Sequence, residues 1–252
     1  MEISAKIHSI ETLGTRDGPG LRCVFFLAGC DFRCQFCHNP DTWTHEHART
    51  LTLEEAEEKI TNLLPYLRQR NGGVTASGGE PTLQADFVIA LFDLAHRLKV
   101  TTALDTNGSC PRKKQDRLLS ATDTVMLDIK ASTPSVHKTL TGRPLEPVLG
   151  FARRTADLAR EKDTPGLFIR RVILPGITDT PEEIEAFIRF LHSLPLHPGI
   201  ELLPYHTLGV YKWKDLDMKY PLEDLSPPAG KAVRTVADRC RKEGFEVIAD
   251  HG

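Results

Sequence analysis

A chain of 252 residues is long enough to bury a full core, and a single α/β barrel of this size is ordinary. Its formal net charge of -2, from 32 basic and 34 acidic side chains, excludes a global field steering it to nucleic acid or a membrane surface. It has no basic-then-apolar start and no apolar run of membrane-spanning length, and Cys23, Cys110 and Cys240 lie singly. These features give the expectation of a cytoplasmic protein in a reducing compartment, acting as a monomer.

Residues 5–12 alternate apolar and polar side chains, as in a short strand or hairpin arm, and lead into the turn-rich loop 14–20, which holds Asp17. Residues 21–28 are almost continuously apolar, the pattern of a strand buried on both faces, and deliver the chain into a cysteine loop. Thr52-Leu53-Glu54-Glu55 is a capping box opening a helix that Pro65 is expected to end or bend. Strands predicted at 73–77, 101–104, 124–127, 167–173 and 199–203 then alternate with helices at about 87–98, 112–120, 148–162, from Pro181 onward, and 229–243. Thr180 as N-cap, Pro181 at N1 and Glu183 at N3 mark one of those helix starts, and a short run at 245–248 ends the chain. Six strand–helix units in alternation predict the α/β class and a partial (β/α)6 TIM-like barrel, open on one side. No linker divides it, so residues 1–252 read as one domain: an arm and loop over about 1–20, a core over about 21–206 and an extension over about 207–252.

Six of the predicted strands each run into a segment with chemistry in it. These are the cysteine loop, Gly78-Gly79-Glu80, Asp105-Thr106-Asn107-Gly108, Asp128-Ile129-Lys130, Leu174-Pro175-Gly176 and Pro204-Tyr205-His206. Any one of them alone is a turn or a helix cap, but six at the C-terminal ends of parallel strands share the rim where barrels assemble active sites. In the first, Cys30, Cys34 and Cys37 lie within eight residues with no fourth cysteine close behind. Three thiolates leave one iron of a [4Fe-4S] cubane without a protein ligand. A Cys3His zinc site through His38 and three buried thiols without metal are the competing readings. Glu80 can accept from an ammonium, Phe36 can lie against a flat base, and Lys130 and Arg170 can meet a carboxylate. An amine, a carboxylate and an adenine beside an open iron describe S-adenosyl-L-methionine.

The residues Gly20, Arg22, Phe26, Gly29, Cys30, Cys34, Cys37, Asn39 and Pro40 resemble the signature of the radical-activating enzymes within the radical S-adenosylmethionine superfamily. The runs 17–20, 37–39, 74–80, 105–108, 125–128 and 201–206 extend that resemblance over nearly the whole chain. It implies a [4Fe-4S] cluster on Cys30, Cys34 and Cys37, and S-adenosyl-L-methionine held by Phe36, His38, Asn39, Gly78, Gly79, Glu80, Asp105, Asp128, Lys130, Arg170 and His206. It also implies a monovalent cation, Na+ or K+, on Asp105, Thr106, Met126 (through its carbonyl) and Asp128, where hard oxygen ligands suit such an ion. Asp17, Lys130, Arg170 and His206 are then the catalytic set, with Asp17 near an incoming peptide. The implied reaction is reductive cleavage of the sulfonium to a 5′-deoxyadenosyl radical, which takes hydrogen from a glycine Cα of a partner enzyme. Flavodoxin or ferredoxin is the implied electron donor. About 40 cysteine-free residues separate Cys37 from Gly78, where activases of several other glycyl radical enzymes carry a cysteine-rich insert, and this favours pyruvate formate-lyase as partner. A different glycyl radical enzyme, a small-molecule substrate and a non-catalytic zinc module remain the alternatives.

Overall fold

The computed structural model describes residues 3–69, 71–162 and 164–249. The two ends of the expected 1–252 domain therefore lie outside the described residues. Nine strands make one sheet: β1 (Ser4–Gly14), β2 (Arg22–Leu27), β3 (Arg49–Thr52), β4 (Gly73–Gly78), β5 (Thr101–Thr106), β6 (Thr124–Asp128), β7 (Gly166–Ile173), β8 (Gly199–Pro204) and β9 (Val247–Ala249). Their order is β3-β1-β2-β4-β5-β6-β7-β8-β9, with β2 and β4 to β9 parallel and β1 antiparallel to both β2 and β3. The six expected parallel strands are present, and β9 adds a seventh to the far edge. Because β3 and β9 do not meet, the sheet curls into a partial TIM-like barrel and stays open on one side.

The helices are α1 (Leu53–Leu67), α2 (Ala85–Arg97), α3 (Arg112–Ser120), α4 (Pro134–Thr141), α5 (Glu146–Lys162), α6 (Pro181–His192), α7 (Val210–Asp215) and α8 (Gly230–Lys242). The α1 capping box forms as its sequence requires: Glu55 N–H donates to Thr52 Oγ1 at 3.1 Å and Thr52 N–H donates to Glu55 Oε2 at 2.8 Å. Pro65 does not end α1, which runs two residues further to a buried Leu67. Standing exposed in the last turn, Pro65 removes one hydrogen bond from a helix whose buried face is already packed. In α6 only half of the expected box forms. Thr180 caps Glu183 N–H, while the Glu183 carboxylate turns away to Arg171, Ser132 and Thr133.

Strand pleating sorts the side chains. On β7, Leu167, Ile169, Arg171 and Ile173 are buried beneath the outer helices, and Phe168, Arg170 and Val172 alternate with them toward the lumen. The neighbouring arginines thus serve opposite faces. Loop 14–20 fills part of the lumen. Arg22, fully buried, donates to Pro19 O, Thr75 Oγ1, Thr101 Oγ1 and Val74 O, and Thr75 Oγ1 donates to Asp17 O at 2.7 Å. Burial pushes the Arg22 guanidinium down to about 10. Between this loop and Met126, Phe168, Arg170, Glu201 and Leu203 lies a cavity of about 640 Å³.

Candidate active site

The cysteine loop leaves the C-terminal end of β2 and is held from three sides. Gly79 N–H donates to Leu27 O and Glu80 N–H to Gly29 O, both at 2.8 Å, lacing it to the end of β4. Arg33 N–H and Gln35 N–H donate to Thr141 O and Leu140 O, so Cys34 lies between two bonds to the C-terminal carbonyls of α4. From the third side, Trp213 of α7 donates its indole N–H to Cys37 O at 2.8 Å, and Lys212 reaches Asn39 Oδ1 and Asp41. Gly79 has to be glycine here, since a Cβ would stand 2.4 Å from Gly29 O. At Gly78, with φ at +114°, a Cβ would meet Leu27 O at 2.3 Å.

All six cysteines are free thiols. Burial pushes Cys34 up to about 12 and raises Cys30 and Cys37 as well, so binding a metal centre here must release protons. Among the described residues no three His, Cys, Asp or Glu side chains converge tightly enough to hold one metal ion. An iron–sulfur cubane spreads its thiolates more widely, and an all-sulfur donor set of three suits it. His38 does not join the thiols. Its ring stacks on His206 with centroids 4.1 Å apart, and its Nε2 meets His206 O at 3.1 Å. Burial, then the neighbouring His206, push His38 down to about 4.

Next to the loop, a charged layer lines the strand ends. Arg170 lies 2.9 Å from Asp105 Oδ1, 3.3 Å from Glu201 Oε2 and 3.8 Å from Asp128 Oδ1, while Lys130 Nζ meets Asp128 Oδ2 at 2.6 Å. Ser77 Oγ donates to Asp105 Oδ2 at 2.8 Å. Burial opposes the Lys130 charge, but Asp128 and Cys34 outweigh it and hold the ammonium above the usual lysine range. Asp128 stays below the usual carboxylate range, because Lys130 and Arg170 overcome its burial. At Asp17, burial and then Asp105 push the carboxyl upward.

A profile of the radical SAM superfamily matches residues 24–191. The chain belongs to the radical SAM superfamily. It is 40% identical over 238 residues to the pyruvate formate-lyase-activating enzyme of Listeria monocytogenes, spanning 92% of this chain and 94% of that one. The enzyme of that name from Streptococcus mutans is 38% identical over 253 residues, spanning 97% and 94%. These matches place the chain in the family of pyruvate formate-lyase-activating enzymes. The crystal structure of a domain of such an enzyme from Bacteroides vulgatus matches with a TM-score of 0.59 at 25% identity, over 71% of this chain and 98% of that one. Streptococcus suis SuiB bound to its precursor peptide SuiA has a TM-score of 0.67 at 18% identity, over 96% of this chain and 50% of that one, a likeness of fold alone. As a radical SAM protein the chain takes a [4Fe-4S] cluster and S-adenosylmethionine, and the thiol loop is the place on it that suits a cluster.

Most residues expected from sequence stand at the C-terminal ends of the parallel strands, while Asp17 sits on loop 14–20 in the lumen, and several are already engaged within this radical SAM protein. Glu80 is fully buried, and its carboxylate accepts from Thr82 N–H and Oγ1, Thr106 Oγ1 and Asn107 N–H at 2.6–3.0 Å. Burial pushes it up to about 7. Phe36 is buried with Lys130 Nζ 5.6 Å from its ring centroid, so that face is taken; the half-buried His38–His206 pair supplies the accessible flat surface. Asn39 is tied to Lys212. Asp105 pairs with Met126 across β5 and β6, and Thr106 and Asp128 end the same strands, yet the two carboxylates face Arg170 and Lys130. Arg22, Asn107, Lys212 and Trp213 were missed as site residues. Asn107 and Arg22 lie within runs that the sequence singles out, but their site roles rest on partners such as Cys30 and Val74 far along the chain; Lys212 and Trp213 carry no local signal, because their partners lie 171 to 176 residues away.

Proposed function

We propose that this protein activates pyruvate formate-lyase, cleaving S-adenosyl-L-methionine reductively so that hydrogen is taken from one glycine Cα of that enzyme. The observation that carries the reading is the three-thiol loop without a fourth ligand, laced by backbone hydrogen bonds to Gly78-Gly79-Glu80 in a chain 40% identical to enzymes of that name. Cys30, Cys34 and Cys37 hold the cluster. What cluster and S-adenosyl-L-methionine supply together is a one-electron reduction and a hydrogen-abstracting 5′-deoxyadenosyl radical.

The chain's own residues bind, orient and exclude water. The carbonyls around Gly78 and Gly79 and the stacked imidazoles of His38 and His206 frame the cofactor, while Arg170 and Lys130 offer charge to its carboxylate. Arg22 fixes the backbone of loop 14–20, presenting Asp17 to the lumen cavity, where an extended glycine segment has room. A Na+ or K+ ion on Asp105, Thr106, the Met126 carbonyl and Asp128 belongs to the same reading, and it requires Arg170 to yield part of its hold on Asp105. Flavodoxin or ferredoxin supplies the electron. In this reading the protein is a cytoplasmic monomer of one domain, and the single continuous sheet supports the one-domain part of it.

The deciding experiment is anaerobic. Iron-reconstituted protein, S-adenosyl-L-methionine, a reductant and pyruvate formate-lyase are mixed, and a glycyl doublet is sought by electron paramagnetic resonance. Deoxyadenosine formation without a doublet on pyruvate formate-lyase would move the assignment to another glycyl radical enzyme or a small substrate.

A further inference from the structure

The loop after β5 touches the thiol loop at a point no cofactor ligand accounts for. Asn107 is 7% exposed, and its Nδ2 lies 3.7 Å from Cys30 Sγ, within hydrogen-bond reach of sulfur. The direction of the amide is fixed chemically. Ser109 N–H donates to Asn107 Oδ1 at 2.9 Å, so exchanging the amide oxygen and nitrogen would set two donors against each other. The asparagine backbone is fixed too, through its N–H to Glu80 Oε2 at 2.7 Å, and Thr106 Oγ1 donates to Glu80 Oε1 at 2.7 Å. Gly108 turns the chain at φ +80°, and Ser109 Oγ then donates to Asp31 Oδ1 at 2.8 Å, a second bond between the two loops.

We infer that Asn107 is a positioning residue that sets the reduction potential of the cluster by donating its side-chain N–H to Cys30 Sγ, with the buried Glu80 carboxylate as its brace. A donor aimed at a ligand sulfur stabilises the more negative, reduced form, so the bond raises the potential. Glu80 thereby acts on the cluster at one remove. Its carboxylate is occupied by Thr82, Thr106 and Asn107, and it holds the loop that bears the amide.

The inference rests on the three cysteines holding the cluster, which iron content and absorption of the parent protein establish separately. The test is a potentiometric titration of reconstituted Asn107→Asp and Asn107→Ala, followed by the electron paramagnetic resonance of the reduced cluster. Asn107→Asp keeps the acceptor for Ser109 and loses the donor. At the poise where the parent is half reduced, the reduced-to-oxidised ratio is expected to fall about threefold in Asn107→Ala, or about 30 mV for a one-electron couple. In Asn107→Asp, which adds negative charge, it falls further. A parent-like midpoint in both variants, even with reduced iron content, overturns the proposal, because a purely structural role lowers loading without moving the potential. Should neither variant retain iron, the parent labelled with 15N-asparagine is examined by pulsed resonance. A 15N coupling to the reduced cluster supports the bond, and its absence overturns it.

Discussion

Replacing Glu183 by alanine tests how the scaffold holds the thiol loop. Glu183 and Arg171 are both about 1% exposed, with Arg171 Nη2 2.7 Å from Glu183 Oε2. The same carboxylate accepts from Ser132 N–H at 2.6 Å and Thr133 N–H at 2.9 Å, at the start of α4. Alanine would strand a buried guanidinium, at about 3–5 kcal/mol. Two backbone donors lose their acceptor as well, at about 1–3 kcal/mol each where water cannot reach them, costs that partly overlap. A net loss of about 4–5 kcal/mol follows, a large share of the about 5–15 kcal/mol that holds an ordinary domain. Urea unfolding of the iron-free protein, followed by circular dichroism, would show a lower midpoint at unchanged slope. Adding Arg171→Met should restore about 2 kcal/mol or more by removing the stranded charge, leaving the cost of the two backbone donors. A loss under about 1 kcal/mol, or a double variant no more stable than the single one, would refute the reasoning. The acid limb has a sign too. Although burial opposes it, Thr133, Ser132 and Arg171 hold the Glu183 pKa below its unfolded value, so its contribution is present above that value and lost as pH falls through the lower folded one.

Glu80 has the opposite sign. Raised to about 7, it makes the iron-free fold less stable as pH climbs from the ordinary glutamate range through neutrality, by roughly 3 kcal/mol. Glu80→Gln should flatten that slope, and an unchanged slope in denaturation midpoints between pH 5 and 8 would argue that the carboxylate is ionised throughout. Gly79→Ala drives a Cβ to 2.4 Å from Gly29 O and 2.9 Å from Thr42 O, both backbone atoms that yield only by moving the thiol loop. It is expected to cost about 1–3 kcal/mol and to leave the protein short of iron on reconstitution, read by colorimetric iron analysis. Cys34→Ala should abolish deoxyadenosine formation while far-ultraviolet dichroism stays parental; surviving cleavage would remove Cys34 from the cluster. Asp17→Ala should depress glycyl radical yield more than abortive deoxyadenosine production, and equal losses would take away its role toward the protein substrate.

What could be read in the sequence was whatever rests on periodicity and local chemistry. Strands β2 and β4 to β8, the box at Thr52 and the helix start at Pro181 all appear in place. Strand β3 was not legible because its four residues, Arg49 to Thr52, bury only Leu51. Helix α4 was not legible either: Pro134–Thr141 is rich in β-branched residues, and its ends are held by Glu183 and by the thiol loop. Helix α7 is six residues long and stands on Trp213, Lys212 and the close approach of Gly209 to His38, all tertiary contacts. The site showed the same limit. The thiols, the glycines and the acids could be named from spacing and family resemblance, but not that Arg170 would bridge three carboxylates or that Glu80 would be fully engaged inside the protein.

Those unread elements share one task, and this explains why a loop of thiols with almost no regular structure can be stiff. Residues 29–37 are bound by the carbonyl end of α4, by α7 and by the β4 and β5 loops, so the cysteine loop is held by four elements far apart in the chain. A loop held by its own turns alone would relax when the metal centre is absent; one braced from outside has its backbone held by other elements without the metal. The energy for that bracing comes from buried polar pairs such as Arg171–Glu183, whose removal is costly because water cannot replace the lost partner. The lumen side has its own buried bracing, around Arg22 and Arg170, but is not enclosed. With β3 and β9 apart, the open edge leaves the cavity beside Asp17 and Arg170 reachable by an extended segment of another chain. Rigidity at the thiols and openness at the lumen are thus separate properties of one unclosed sheet, and activating a protein substrate requires both.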